Sequence, residues 1–356
     1  MSKKLTKVLS GVAASLLLVA GCGGGTTSAD QRTAILVTDQ GGANDKSFNQ
    51  GTNEGIIAYA NENAGWAAVA PIESLTEQDY TPNLANAADE NDVVIAAGFL
   101  IQDAIVEAAS GYPDVKFVGI DIDLTGIATT NNVTGYTFAE QEAGYLAGVA
   151  AAMQTKTNKV GYIGGMEVPA VQRFGWGFIA GVQSVSKDIE VVYDYSGSFN
   201  DVALGTQKAQ AMYNTGVDVI FIAAGETGVG AINEAKTQVQ AGKDVWAIGV
   251  DIDQYEDGIL PGSDKSVILT SAVKKVGEAV AHAIQSVEDG TFNGGGTTNL
   301  TIQDGAVGLP EINPNLSDEI TAAVAKAEEA IKAGTIVPPA TTDEVKALEP
   351  KVTGTY

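Results

Sequence analysis

Short apolar runs alternate along this chain with longer stretches whose apolar residues recur at helical spacing. The runs Ala34-Ile35-Leu36-Val37, Val93 to Ala97, Phe117-Val118-Gly119-Ile120 and Val219-Ile220-Phe221-Ile222-Ala223 read as buried parallel strands, because both faces of each are apolar. Further strands are predicted near 159–164 and 245–250, with helices near 48–63 and 172–187. Alternation of this kind predicts an α/β fold in which a parallel sheet carries helices on both faces. Two elements recur in the same order at nearly equal offsets. Asp92 to Gly98 is echoed by Asp218 to Gly225, and Gly119-Ile120-Asp121-Ile122-Asp123 by Gly249-Val250-Asp251-Ile252-Asp253. A duplicated lobe accounts for both echoes. The reading is therefore of two Rossmann-like lobes with parallel sheets and a hinge cleft between them.

The expected boundaries place a first lobe at 32–154 plus about 268–295, and a second at 155–267 plus about 296–356. Glu140 to Met153, rich in Ala and Gly, reads as a tightly packed helix leading to a first crossover near 155–158. A second crossover is expected near 262–267. Lys274 to Glu288 reads as a helix returned to the first lobe, and Pro310 to Lys332 as a polar approach followed by an amphipathic helix.

Ligands of open parallel sheets sit beyond the carboxyl ends of the strands. Asp39, Gly98, Asp121, Gly225 and Asp251 all fall at such ends, so each lobe presents polar groups to one shared cleft. The densest cluster is Gly41-Gly42-Ala43-Asn44-Asp45-Lys46-Ser47-Phe48-Asn49-Gln50-Gly51, after the first strand. Its glycines permit a sharp turn, and Asn44, Asp45 and Ser47 bring donors and acceptors to a helix N-terminus. Phe48 adds a flat apolar face. Such a set suits a small, polar, partly aromatic molecule.

The N-terminus changes the picture of where the chain works. Lys3, Lys4 and Lys7 precede an apolar run from Val8 to Ala20, shorter than the roughly 20 residues a spanning helix needs. The run closes on Leu18-Val19-Ala20-Gly21-Cys22, which looks like a bacterial lipobox: a signal peptide at 1–21, then a lipid-bearing cysteine. Cys22 is the only cysteine, so neither an intramolecular disulfide nor a thiolate cluster is available. Residues 22–31 read as a flexible tether. The formal charge is −24, from 20 basic and 44 acidic residues. Such a surface repels nucleic acid and anionic headgroups.

The chain resembles the basic membrane protein family, also called purine nucleoside receptor A-like, of substrate-binding lipoproteins serving ABC transporters. The resemblance rests on Asp39 to Gln50, which is close to the family pattern D-x-G-G-x-N-D-K-S-F-N-Q, and covers essentially the whole mature chain. It continues through Tyr145-Leu146-Ala147-Gly148, Lys159 to Gly165, Ser198-Phe199-Asn200-Asp201, Asp251-Ile252-Asp253-Gln254 and Thr270-Ser271-Ala272-Val273-Lys274. It implies a type I periplasmic-binding-protein fold on the extracytoplasmic face of the cell membrane. It also implies a monomer that binds a nucleoside, with ABC permease subunits as partners. By the same resemblance Asp121 reads the base edge and Asp251 the ribose hydroxyls. Lys274 meets a ribose oxygen or Asp251 itself, and Gly225 gives backbone access. Phe48 and Phe199 are candidates to sandwich a base, with Phe174 competing for that role.

Catalysis finds little to work with. The one histidine, His282, falls in mid-helix and reads as a surface or packing residue. No Gly run has dinucleotide or Walker spacing, and no cofactor is expected. Of the pairs Asp121/Asp123 and Asp251/Asp253, one member is expected to face the cleft and the other to cap the following segment, although an N-cap role competes for Asp121 and Asp251 as well. Two other accounts remain open: an extracytoplasmic sensor docking a signalling protein, and a nucleoside hydrolase needing a metal-binding aspartate cluster. Another small ligand, such as a sugar, would fit the receptor account.

Overall fold

In the computed structural model, residues 31–356 are described; the expected signal peptide, Cys22 as the expected site of lipid, and the expected tether up to residue 30 lie outside them. The elements follow in the order β1 (Arg32–Val37), α1 (Phe48–Glu62), β2 (Trp66–Ala68), α2 (Tyr80–Glu90), β3 (Val93–Ala97), α3 (Gln102–Gly111), β4 (Lys116–Ile120) and β5 (Val133–Phe138). Next come α4 (Glu140–Gln154), β6 (Lys159–Gly164), α5 (Pro169–Val185), β7 (Glu190–Tyr195), α6 (Val202–Asn214), β8 (Val219–Ala223), α7 (Glu226–Gln240), β9 (Trp246–Asp251) and β10 (Ile268–Lys274). The chain closes with α8 (Val276–Glu288), β11 (Thr297–Leu300), β12 (Val307–Gly308), α9 (Asp318–Lys332), α10 (Thr342–Lys346) and β13 (Val352–Thr353).

These strands form two sheets, in the orders β11-β5-β4-β3-β1-β2 and β12-β10-β9-β8-β6-β7-β13. All pairings are parallel except β10 with β12. Alternation along each strand assigns the layers. In β1, Leu36 packs with Ile56 and Tyr59 of α1 and with Val280 of α8, while Ile35 and Val37 pack with Leu84 of α2 and Ile105 of α3. In β8, Phe221 joins Phe178 of α5, and Ile220 and Ile222 join Met212 of α6 and Ile232 of α7. Each sheet is therefore covered on both faces, as its unbroken apolar strands require.

The expected crossovers are corrected. β5 pairs with β4 as part of the first sheet, and the chain passes to the second lobe at Ala139, before α4 rather than after it. The cause is backbone packing. A Cβ on Gly144 or Gly148 of α4 would lie 2.2 or 2.3 Å from a carbonyl oxygen of α5, and one on Gly177 or Gly181 of α5 would lie 2.1 Å from a carbonyl oxygen of α4. Only paired glycines let the two helices meet this closely, which ties α4 to the second lobe. Residues 262–267 are a turn within that lobe, where the Leu260 amide donates to the Lys265 carbonyl. β10 pairs with β9, so the chain returns to the first lobe only at Lys275, ahead of α8. β11 joins the first sheet beside β5, against the expected place of residue 296 onward in the second lobe, and a third crossing runs from Leu300 to β12. Among the described residues, no helix is long and apolar enough to cross a membrane.

Candidate functional site

The strand ends of both sheets converge on a cavity of about 60 Å³. Asp121 follows β4 and Asp251 ends β9, with φ of +60° and +64°. In this left-handed region the chain turns out of the sheet, a conformation that aspartate tolerates better than most side chains. Both carboxylates line the cavity. Neither serves as a helix cap. Their partners at i+2 bond locally instead: Asp123 accepts from the Thr125 amide at 2.9 Å and Asp253 from the Tyr255 amide at 3.1 Å.

Lys274, the last residue of β10, is the charge centre of the site. Its buried Nζ lies 2.5 Å from Asp121 Oδ2, 3.5 Å from Glu140 Oε1 and 3.7 Å from Asp251 Oδ1. Burial would lower the lysine's pKa, but the carboxylates of Asp121, Asp251 and Glu140 outweigh it and raise the pKa instead. The rings of Phe48, Phe138 and Phe174 lie 4.7, 5.4 and 5.6 Å from the same Nζ, in cation–π range. Glu140 also accepts from Arg173 Nε at 2.6 Å, so its charge is shared between two cations. Burial pushes Asp121 up to about 6 and raises Asp251, in both cases against the pull of Lys274. Asp121 Oδ1 is buried without a hydrogen-bond partner.

The turn before α1 shows which polar residues serve the fold. Asp45 Oδ1 accepts from the Ser47 and Gln50 amides and Oδ2 from the Asn49 amide, all within 3.0 Å. It thereby satisfies free N–H groups of the helix N-terminus. Burial nevertheless pushes its pKa up to about 7 against those amides. Asp39 Oδ1 accepts from the Gly41 amide and from Asn49 Nδ2, and burial raises its pKa despite these bonds.

Of the residues expected at the site, Asp39, Asp45, Phe48, Asp121, Phe174, Phe199, Gly225, Asp251 and Lys274 line the cavity. Asn44 does not; it is exposed, because the turn that buries Asp45 directs its neighbour outward. Ser47 is buried behind the wall, where its Oγ donates to Asp251 Oδ2 at 2.6 Å. His282 is exposed and meets Tyr136 Oη at 3.2 Å, away from the cavity. Phe199 packs so closely on Gly165 that a Cβ there would lie 2.2 Å from its ring. Phe174 packs edge-on to Phe221 with ring centroids 5.8 Å apart, so it is a rigid part of the wall.

Sequence reasoning missed Asn49 and Phe99 as lining residues. Asn49 is 1% exposed, with Oδ1 unpaired and Nδ2 bonded to Asp39. Phe99, 41% exposed, follows the left-handed Gly98 at the end of β3, and that strand-end glycine was the available signal. The inward acceptors, namely Asp121 Oδ1, Asn49 Oδ1 and the Asp251 carboxylate, outnumber the inward side-chain donors, since the Lys274 ammonium is already engaged. The chemistry offered is that of binding a neutral, donor-rich molecule with a flat apolar part.

Comparison with known proteins bears directly on this geometry. The sequence profile of a family described as PnrA-like ABC transporter substrate-binding protein matches residues 32–342. The ABC transporter nucleoside-binding protein BmpA of Lactococcus lactis subsp. cremoris is 39% identical, over 95% of this chain and 99% of its own length. Basic membrane protein A of Borreliella burgdorferi is 31% identical over 85% of this chain and 86% of its own length. A crystal structure of an ABC transporter solute-binding protein from Aeropyrum pernix superposes with a TM-score of 0.76 at 28% identity, covering 89% of this chain and 96% of that one. With the profile spanning both lobes and the cavity between them, the chain belongs to the Bmp family of PnrA-like ABC transporter substrate-binding proteins, which bind solutes and are not enzymes.

Proposed function

We propose that this substrate-binding protein captures a nucleoside, with a purine as its base, and delivers it to an ABC permease from the outer face of the cell membrane, where a lipid on Cys22 holds it. The observation that carries this reading is the pair of strand-end carboxylates, one from each lobe, facing a common cavity walled by Phe48, Phe174 and Phe199. An aromatic wall receives a base, with about 0.5–1.5 kcal/mol per ring contact beyond area burial. Asp251 accepts from the ribose hydroxyls. Asp121, its Oδ2 held by Lys274 and its Oδ1 free, accepts from the donors of the base edge. The name of the Lactococcus relative supports the same ligand class.

Calorimetric titration with guanosine and 2′-deoxyguanosine tests the assignment. Hydrogen bonds to a charged group are worth about 1.5–3 kcal/mol, so Asp251→Ala should weaken guanosine binding by about ten- to a hundredfold and erase most of the ribose preference. Equal preference in wild type and variant would remove Asp251 from the ribose. The anchor has a separate test: Cys22→Ala should release the protein from the membrane fraction after signal removal, and continued membrane association would overturn it.

A further inference from the structure

Ser47 stands at the N-cap of α1, where a serine hydroxyl ordinarily accepts a hydrogen bond from an amide two or three residues on. Here it makes no such bond. Asp45 satisfies the first-turn amides of Asn49 and Gln50 in its place. The released hydroxyl crosses to the other lobe, donating to Asp251 Oδ2 at 2.6 Å and lying 3.5 Å from the Val250 carbonyl oxygen.

The preceding residue points the same way. Lys46 holds φ of +60°, a strained conformation that a non-glycine residue keeps only where its surroundings fix it. Its carbonyl accepts from Gln254 Nε2 at 2.7 Å. Gln254 is itself clamped, its Oε1 accepting from the Val250 amide at 2.9 Å and its own amide donating to Ser271 Oγ at 3.0 Å. Two adjacent residues of the first lobe thus bond to one short segment of the second. Neither Ser47 nor Gln254 lines the cavity.

We propose that Ser47 and Gln254 are positioning residues that form a latch between the lobes, made on closure, which fixes the Asp251 carboxylate for the ligand. The proposal rests on the reading of Asp251 given above. Ser47 holds Oδ2 from behind the wall, so Oδ1 is presented toward the cavity instead of the carboxylate rotating freely. Because both bonds span the cleft, opening exchanges them for water. They therefore favour the closed form that a ligand touching both lobes also favours.

Stopped-flow kinetics and calorimetry with guanosine and 2′-deoxyguanosine on Ser47→Ala and Gln254→Glu test the latch. The glutamate keeps the acceptor for the Val250 amide and turns the cross-lobe donor into an acceptor facing a carbonyl. Ser47→Ala should weaken guanosine binding about tenfold, chiefly through faster dissociation, and should shrink the ribose preference. Gln254→Glu should speed dissociation while retaining that preference. Thermal unfolding without ligand should stay close to wild type for Ser47→Ala, since the hydroxyl caps nothing; a purely structural serine would lower it and leave the ribose preference intact. Wild-type affinity and dissociation rate in Ser47→Ala, with guanosine still bound by the wild type, would overturn the latch alone. No nucleoside binding by the wild type would overturn the functional reading and the latch with it.

Discussion

Asp121 and Asp251 occupy equivalent places in the two lobes, at the ends of the echoed strands β4 and β9, and share a left-handed backbone. Their side chains are held differently. Asp121, in the first lobe, is bound by Lys274, which ends β10 immediately before the chain crosses back at Lys275. Asp251, in the second lobe, is bound by Ser47 from the first. The contact of Asp121 joins the first lobe to the end of β10, the last strand of the second sheet before the chain crosses back. That of Asp251 joins the helix start of one lobe to the strand end of the other. Duplication explains the two similar strand ends, but each carboxylate takes its shortest bond from the opposite lobe, Asp121 from the Lys274 ammonium and Asp251 from the Ser47 hydroxyl, with Lys274 also 3.7 Å from Asp251.

Removing the cation should test this difference most severely. Lys274→Met leaves Asp121, Asp251 and Glu140 without their shared cation in a buried site, although Arg173 still serves Glu140. Stripping one partner from a buried ion pair typically costs about 3–5 kcal/mol. Chemical denaturation should register that loss, and calorimetry should find nucleoside binding abolished. A variant of wild-type stability would mean that the carboxylates simply protonate and that Lys274 is not the organising charge.

The two aspartates should also separate by pH. Burial pushes Asp121 up to about 6, so in the folded protein it keeps its proton to higher pH than in the unfolded chain, where the pKa is about 3.9. Its contribution to stability is therefore fully present below about pH 4 and is lost as pH rises to about 6. Ligand binding should run the other way, because only the ionised carboxylate leaves both oxygens as acceptors. Guanosine affinity should rise by up to about tenfold per pH unit toward pH 6 and then level off, with the slope removed in Asp121→Asn. Titrations from pH 5 to 8 on both proteins measure this. A slope that survives in the variant would transfer the titration to Asp39, Asp45 or Asp251, whose pKa values burial also raises.

Much of this arrangement was legible in the chain, and what was not has identifiable causes. Continuous apolar strands and their echo established two covered parallel sheets, and strand-end polar residues marked the cavity, because both depend on local pattern. The crossings escaped because they depend on partner choice. Nothing in Glu140 to Met153 alone says that Gly144 and Gly148 meet Gly177 and Gly181, and nothing in β10, buried along most of its length, says which of the two sheets it joins. Ser47 was placed among the ligand contacts because its motif neighbours are there, yet a turn separates residues one position apart into cavity, wall and solvent. Asp45 shows the opposite case, a cavity-lining carboxylate whose hydrogen bonds go to its own helix.

The smallest predicted effects distinguish two asparagines of that same turn. Asn49 clamps Asp39 through Nδ2 at 2.9 Å and turns an unpaired Oδ1 inward, whereas Asn44 is exposed and outside the cavity. A neutral hydrogen bond is worth about 0.5–1.5 kcal/mol, so Asn49→Ala should weaken nucleoside binding by about two- to tenfold. Asn44→Ala should remain within about a factor of two of wild type, as surface substitutions generally shift energies by no more than about 0.5 kcal/mol. Calorimetric titration of both variants against guanosine gives the comparison directly. If Asn44→Ala proved the weaker binder, the turn would have to rearrange on ligand capture and bring Asn44 inward. In that event the first lobe, like the second, would complete its share of the site only on closure.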